Sequence, residues 1–181
     1  MHLGFDHFSV VLQGGVERYA YADVNNVYPR HYRSAAVLAQ VSANPVVYER
    51  RHADGSKEIN GLSDGGVPGS RRVFLTSIVD PHGQALTFTW DAQLRLVALT
   101  DALGQVTTLQ YEDADSLKVT SVTDPFGRIA RFTYDANGRL ESATDVINLT
   151  SRFVYGEAEF IAALQTPYGT TTFREPMLTG E

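Results

Sequence analysis

Residues 124–140 read Asp-Pro-Phe-Gly-Arg-Ile-Ala-Arg-Phe-Thr-Tyr-Asp-Ala-Asn-Gly-Arg-Leu. A type I turn favours Asp at its first position, Pro at its second and Gly at its fourth, and Asp124, Pro125 and Gly127 fill these positions in order. The stretch therefore opens with a turn whose residues each have a conformational reason to be there.

A second turn closes the same stretch, from Asp135 to Gly138. Glycine at its fourth position can take the positive φ that a type I turn with a bulge requires in a hairpin. Residues 129–134, between the two turns, are rich in residues that favour strands. The stretch is thus predicted to form one strand bounded by two turns.

This pattern recurs along the second half of the chain, with separations of 21, 23, 21 and 21 residues between successive turns. The first residues of these turns are Asp80, Asp101, Asp124, Asp145 and Thr166, and the fourth residues are Gly83, Gly104, Gly127, Asn148 and Gly169. Asn is the non-glycine residue that best tolerates the left-handed region, so Asn148 fits the pattern. Internal repeats of this kind indicate a stack of similar units.

Large apolar residues keep the same period. Those five places beyond the fourth turn position are Phe88, Leu109, Phe132 and Phe153, and those seven places beyond it are Trp90, Tyr111, Tyr134 and Tyr155. A separation of two keeps both rows on one strand face. Before each turn, apolar residues stand three apart, as Leu140 and Ala143 do. Either both sheet faces are partly buried there or a bulge intervenes.

The predicted fold is all-β, with antiparallel hairpin repeats stacked into a long twisted sheet. Residues 1–71 are predicted to form hairpins leading into the repeats, with strands around the Asp54-Gly55 turn and a strand favoured over a helix at 35–41. The glycine-rich residues 61–70 are the predicted linker. Residues 72–174 hold about four repeats, and residues 175–181 form a tail.

Composition excludes several classes of function. The net charge of −6 provides no basic surface for nucleic acid, and no apolar run is long enough to span a membrane. The absence of cysteine excludes disulfides, thiol catalysis and cysteine-ligated metals. The first residues lack the features of a secretory signal peptide.

No constellation of catalytic residues stands out, so the chain is predicted not to be an enzyme and to need no cofactor or metal. The periodic aspartates could form a calcium-binding array, but each already has a role in its own turn, and one carboxylate per unit is sparse for calcium. The row Trp90, Tyr111, Tyr134 and Tyr155, here called the aromatic ladder, could bind sugars or a polypeptide, or could pack across strands.

The residues Tyr134-Asp135-Ala136-Asn137-Gly138-Arg139-Leu140, preceded by Thr123-Asp124-Pro125-Phe126-Gly127, resemble the YD repeat of the Rhs (rearrangement hotspot) family. That family includes bacterial polymorphic toxins, in which many repeats spiral into a hollow β-shell. The resemblance implies a slice of a shell that encloses a toxic C-terminal cargo domain.

The resemblance also implies the partners and the location of the protein. The expected partners are the cargo domain and further shell repeats, and open strand edges predict self-association unless the N-terminal hairpins cover them. A bacterial protein that is cytoplasmic before export by a signal-peptide-independent route is expected. The alternative is a free-standing module that recognises carbohydrate or a partner protein through the aromatic ladder.

Overall fold

A computed structural model describes residues 7–12, 15–67, 69–112, 116–156 and 159–174. Its contacts divide the chain into two compact units, Met1–Gln105 and Val106–Glu181. The described residues form fifteen β-strands and no helix, and every pairing given between neighbouring strands is antiparallel. The predicted all-β fold of stacked antiparallel hairpins is therefore confirmed.

The first unit contains a separate hairpin and a meander of six strands in which each strand pairs with the next in sequence. The hairpin consists of β1 (His7–Leu12) and β2 (Gly15–Ala20), and the meander of β3 (Val37–Ala43), β4 (Val46–Arg51), β5 (Lys57–Ser63), β6 (Val73–Val79), β7 (Ala85–Trp90) and β8 (Leu96–Thr100). The strand favoured at 35–41 is thus present as β3. The predicted linker at 61–70 begins later than expected, because Gly61–Ser63 belong to β5.

The hairpin β1–β2 covers one end of this meander. The ring of Phe8 lies 4.3 Å from that of Tyr48 in β4, measured between centroids. Tyr19 is 2% exposed, and Leu38 is completely buried. A well-packed core therefore forms at the N-terminal end of the unit, where a second layer is available to cover the sheet.

The connection between β2 and β3 covers the outer edge of β3. The Tyr28 N–H donates to the Leu38 carbonyl at 2.8 Å, and the Gln40 N–H donates to the Asn26 carbonyl at 2.9 Å. These bonds occupy backbone groups that would otherwise be a free strand edge. The edge of β3 is thus covered by the connection between β2 and β3 and not by a hairpin.

The second unit is a meander of seven strands, again paired in sequence order. Its strands are β9 (Val106–Tyr111), β10 (Val119–Thr123), β11 (Ile129–Tyr134), β12 (Leu140–Thr144), β13 (Thr150–Tyr155), β14 (Ile161–Thr166) and β15 (Gly169–Thr172). The predicted tail, residues 175–181, lies outside the described residues. Each repeat contributes two strands and two turns.

A β-bulge in each repeat explains the apolar residues that stand three apart. Thr133 pairs with Ser142, but Tyr134 pairs with Leu140, so Glu141 is an extra residue in β12. The bulge turns Leu140 onto the face of Tyr134, while Ala143 still faces Phe132. Of the two alternatives that the spacing left open, the bulge is correct. Trp90 and Leu96 pair in the same way in the first unit.

The two faces of the second unit differ in chemistry. Directly opposed residues in an antiparallel pair share a face, and the pairs Val122 with Leu109 and Phe153 with Leu164 line an apolar one. The other face carries mostly Thr, Ser and Arg, as in the pair Ser142 and Arg152. The apolar residues are only half-buried, because among the described residues of this unit no second layer covers them.

Candidate functional site

The most regular local structure in the chain is the turn that opens each repeat. At Asp124, the carboxylate oxygen Oδ1 accepts the N–H groups of Phe126 and Arg128, both at 2.9 Å. The Gly127 N–H donates to the Asp124 carbonyl at 3.0 Å, and the φ of Gly127 is +79°. One carboxylate thus satisfies two backbone donors in a tight turn.

The same hydrogen bonds recur at every aspartate that the spacing selects. Turns of this geometry begin at Asp80, Asp91, Asp101, Asp124, Asp135 and Asp145, and their fourth residues, all at positive φ, are Gly83, Leu94, Gly104, Gly127, Gly138 and Asn148. A further copy at Asp23, closed by Asn26, was not singled out from the sequence.

The last turn of the second unit is tighter. Thr166 pairs directly with Gly169 across it, so only Pro167 and Tyr168 lie between the strands. The Tyr168 N–H donates to Thr166 Oγ1 at 3.2 Å, so the threonine hydroxyl stands where the other turns have a carboxylate. Threonine takes this role more weakly than aspartate.

In three turns, the arginine four residues after the turn aspartate contacts the carboxylate of that aspartate. The Nε atoms of Arg95 and Arg139 lie 2.7 and 2.8 Å from Oδ2 of Asp91 and Asp135, and Arg128 contacts Asp124 in the same way. These pairs were not predicted from the sequence, although the recurrent spacing of Asp and Arg was a usable signal. Each aspartate therefore binds backbone through one oxygen and arginine through the other.

The pKa is lowered in the three turn carboxylates that an arginine contacts. The backbone N–H of Arg139 is the largest cause at Asp135, followed by the Arg139 side chain, and together they hold the pKa of Asp135 below its ordinary value. The pKa of Asp91 is lowered in the same sense, chiefly by the backbone N–H of Arg95. Hydrogen bonds to the ionised form favour it.

The aromatic ladder is tied to the backbone of the neighbouring repeat. Tyr134 and Tyr155 donate their hydroxyl protons to the carbonyls of Val119 and Leu140, both at 2.9 Å. In the first unit, Trp90 Nε1 donates to a carbonyl, that of Leu75, at 2.8 Å. The fourth member, Tyr111, is the last residue of β9. In each of the three hydrogen bonds, the donor and the acceptor are fifteen residues apart in the sequence, so each bond joins a ladder residue to the preceding repeat.

Cations lie over two of these rings. The Arg139 guanidinium carbon is 4.3 Å from the centroid of the Tyr155 ring, and Lys118 Nζ is 5.5 Å from that of Tyr134. Both distances are within the range of a cation–π interaction. The turn arginine of one repeat thus also contacts the ladder residue of the next.

Comparison with protein-family models finds a match for two adjacent segments of the chain. Residues 90–117 and 113–146 match the family model described as RHS Repeat. Residues 90–146 thus carry the repeat of the Rhs/YD family. No curated protein matched the chain. The matched residues include the turns at Asp91, Asp101, Asp124 and Asp135.

The geometry of these RHS repeats is consistent with a structural role. Within the described residues, no group of three or more histidine, aspartate or glutamate side chains is placed to hold a metal ion. The side chain of His82, in the turn at Asp80, is 86% exposed. Across the part of the chain that the structure describes, no helix is long and apolar enough to cross a membrane.

A buried polar cluster lies before the RHS repeats and was not found from the sequence. Glu17 Oε2 accepts hydrogen bonds from Arg50 Nη2 at 2.9 Å and from the Tyr19 hydroxyl at 2.8 Å, and Glu17 Oε1 lies 3.4 Å from Nδ1 of His31. Arg50 also contacts Glu58 at 2.8 Å. The cluster joins the hairpin β1–β2 to β4 and β5.

The environment of Glu17 keeps it ionised. Burial alone would raise the pKa of its carboxyl, but hydrogen bonds from Ser34, Tyr19 and Arg50 outweigh burial and hold the pKa below its ordinary value. These donors occupy the carboxylate of Glu17. The contact of Glu17 with Arg50 is therefore best explained as a structural ion pair. Sequence cannot reveal it because its members are separated by up to 41 residues, from Glu17 to Glu58.

Two depressions lie on the second unit. A shallow groove of about 350 Å³ is lined by Phe132, Ala143 and Tyr168, among others. A wider one of about 710 Å³ is lined by residues that include Phe153, Phe160 and Phe173. Both are mainly apolar, and neither brings together catalytic side chains.

Proposed function

We propose that these residues are a wall segment of an Rhs-type shell that encloses a toxic cargo domain in the complete bacterial protein. The observation that carries the proposal is the repeated hairpin with its fixed turn, bulge and ring-to-carbonyl bond, in a chain that matches the RHS repeat model. Each repeat pairs its strands with those of the neighbouring repeats. Repeats of this kind can therefore be joined into an extended surface.

The amphipathic sheet supports this role. A shell wall separates an enclosed space from the outside, and the second unit has one apolar and one polar face. The half-buried apolar face supplies surface that a partner domain can cover. The partners in this proposal are therefore further shell repeats and a cargo domain, and the proposed route out of the bacterial cytoplasm is export without a signal peptide.

The proposed role of the aromatic ladder is packing within the wall. Its hydroxyls at Tyr134 and Tyr155 are hydrogen-bonded to backbone, and cations lie over the rings. A free-standing sugar-binding module would need those ring faces available. Substitution of both tyrosines by Ala separates the two roles. Loss of stability without a glycan or protein ligand favours the wall, whereas loss of binding at an unchanged melting temperature favours the module.

The decisive experiment is electron microscopy of the complete protein encoded by the gene. A hollow particle with density inside it, and a cargo domain protected from added protease, is the expected result. An open ribbon, or a downstream domain digested as fast as the free domain, would overturn the shell proposal.

A further inference from the structure

Large apolar side chains stand at the tips of the turns at one end of the second unit. Phe126, Ile147 and Tyr168 are each the third residue of their turn, and 72%, 69% and 86% of their surfaces are exposed. We call these three residues the turn ridge. Leu103 holds the same turn position in the first unit and is 83% exposed.

The turns at the opposite end of the strands are different. The third residue is Asn137 in the turn at Asp135 and Gln93 in the turn at Asp91, and both are exposed. Turn tips are usually small or polar because they face water. Hydrophobic residues exposed at the third position of three successive turns form a row of the kind that marks an interaction surface.

The sheet itself fixes the spacing of the turn ridge. Its turns join β10 to β11, β12 to β13 and β14 to β15, so neighbouring tips lie two strands apart. With strands roughly 4.8 Å apart, the tips repeat about every 10 Å. They project beyond the strand ends, where neither face of the sheet covers them.

The exposed area is large enough for a weak contact. An aromatic side chain presents roughly 150–250 Å², so Phe126 and Tyr168 at their exposed fractions offer about 300 Å². With Ile147, two facing ridges would bury about 800 Å² in total, below the roughly 1,200 Å² of a stable complex. The contact would be weak for one short ridge and would strengthen when more repeats are aligned.

We propose that the turn ridge is the surface through which one ribbon of RHS repeats packs end-on against another, and that in this chain the partner is a second copy. A partner with the same two-strand period meets every tip at once. A twofold axis through Ile147 would set Phe126 of one copy against Tyr168 of the other. The inference rests on the proposed shell, because successive turns of a spiralling wall need such a contact to seal.

The competing route is pairing through the edge of β15. The Phe173 N–H donates to Ala162 in β14, so by alternation the Thr172 N–H faces outward. Thr172→Pro removes that donor without touching the turn ridge. Association through the ridge is unaffected by this substitution, whereas association through the edge is lost.

The first test is sedimentation of the 181-residue chain over a range of concentrations. The wild-type chain associates weakly, and Phe126→Asn/Ile147→Asn/Tyr168→Asn raises the dissociation constant about tenfold or more, with an unchanged circular dichroism spectrum. The matched control is Val24→Asn/Val67→Asn/Leu117→Asn, which changes apolar residues that are 97%, 69% and 79% exposed elsewhere. A monomer at every concentration, or association that survives the ridge substitutions, overturns the proposal.

The second test uses the absence of cysteine from the sequence. Ile147→Cys places one thiol at the proposed twofold axis, and Asn137→Cys places one at the opposite end. Mild oxidation cross-links the first variant about tenfold faster than the second, whereas equal rates overturn the proposal. A shell seen by microscopy together with equal rates would reject the ridge contact alone, and an open ribbon with fast cross-linking would reject the shell alone.

Discussion

The N-terminal region and the RHS repeats of this protein are stabilised in different ways. Among the described residues, the buried apolar side chains are Tyr19, Ala36, Leu38, Ala39 and Val46, all within the first 46 residues. In the repeats, the buried residues are Ser121 and Ser142. One region has a core beneath a second layer, and the other depends on turns, strand ladders and half-buried rings.

The difference shows what a repeat can do without a conventional core. In the N-terminal region, long-range contacts such as the buried ion pair of Arg50 with Glu17 recur nowhere else among the described residues, and removing one partner leaves a buried charge. In the repeats, the same small set of local bonds recurs, so each makes a modest contribution. Substitutions should therefore have large effects in the first region and small, similar effects in the second.

The largest expected effect is that of Arg50→Met. Arg50 is 4% exposed, and its removal leaves the buried carboxylate of Glu17 without its arginine partner, which costs about 3–5 kcal/mol of unfolding free energy. Chemical denaturation followed by the fluorescence of Trp90, the single tryptophan, measures the loss in the same unit. Arg51→Met, at an exposed ion pair with Glu49, serves as the control.

Two results would weaken this part of the comparison. If Arg50→Met costs no more than Arg51→Met, the buried cluster does not stabilise the N-terminal region. If Glu17→Leu/Arg50→Met is less stable than Arg50→Met alone, the cost is not that of an unpaired charge, because replacing both partners removes the charge as well.

The next effect tests the turns of the repeats. Gly127 has φ +79°, and an added Cβ would have no atom within 4 Å. Gly127→Ala therefore incurs backbone strain alone, about 1–2 kcal/mol. Gly127→Asn should cost less, as Asn148 holds the equivalent position at φ +65°. Thermal denaturation ranks the three proteins, and equal losses for Ala and Asn would contradict the explanation.

The reverse substitution is available at Leu94. Leucine there has φ +60°, a conformation that costs a non-glycine residue energy. Leu94→Gly should therefore be neutral or stabilising in a turn where glycine is otherwise the rule. A loss as large as that of Gly127→Ala would mean that side-chain packing of Leu94 outweighs the strain.

Much of the fold could be predicted because its determinants are local. The turn residues from Asp80 to Gly169 and the strand period are each encoded within a few residues, and hairpin stacking follows from repetition. The bulge was left as one of two alternatives, because residues three apart can arise in both ways. Only strand pairing, as between Tyr134 and Leu140, distinguishes them.

What could not be predicted depends on distant residues or on exposure. The contact of Glu17 with Arg50 joins residues 33 apart and has no periodic signal. The connection that covers β3 looked irregular in sequence because its bonds are to another segment. The residues of the turn ridge can be read from the sequence. That they form an exposed apolar surface follows only from the exposed fractions of Phe126 and its equivalents.

A smaller effect is expected at the aromatic ladder. Tyr134→Phe removes the hydroxyl that donates to the Val119 carbonyl while keeping the ring, and should cost about 0.5–1.5 kcal/mol. Tyr155→Phe should cost a similar amount, since it makes the same bond to Leu140. Urea denaturation gives both values. Tyr168→Phe, at an exposed tip, is the control, and a loss there as large as at Tyr134 would argue against the hydrogen bond as the cause.

The smallest expected effect is a change in acid sensitivity at one turn. The folded pKa of Asp135 lies below its ordinary value, so its contribution is present at neutral pH and is lost as the pH falls from about 4 through the folded pKa. Asp135→Asn lacks this titration, and its stability should fall less steeply over that acidic range. Urea denaturation at a series of pH values compares the slopes. Asn137→Ser, in the same turn, keeps the carboxylate and should retain the wild-type slope, while a wild-type slope in Asp135→Asn would show that the turn carboxylate does not couple folding to protonation.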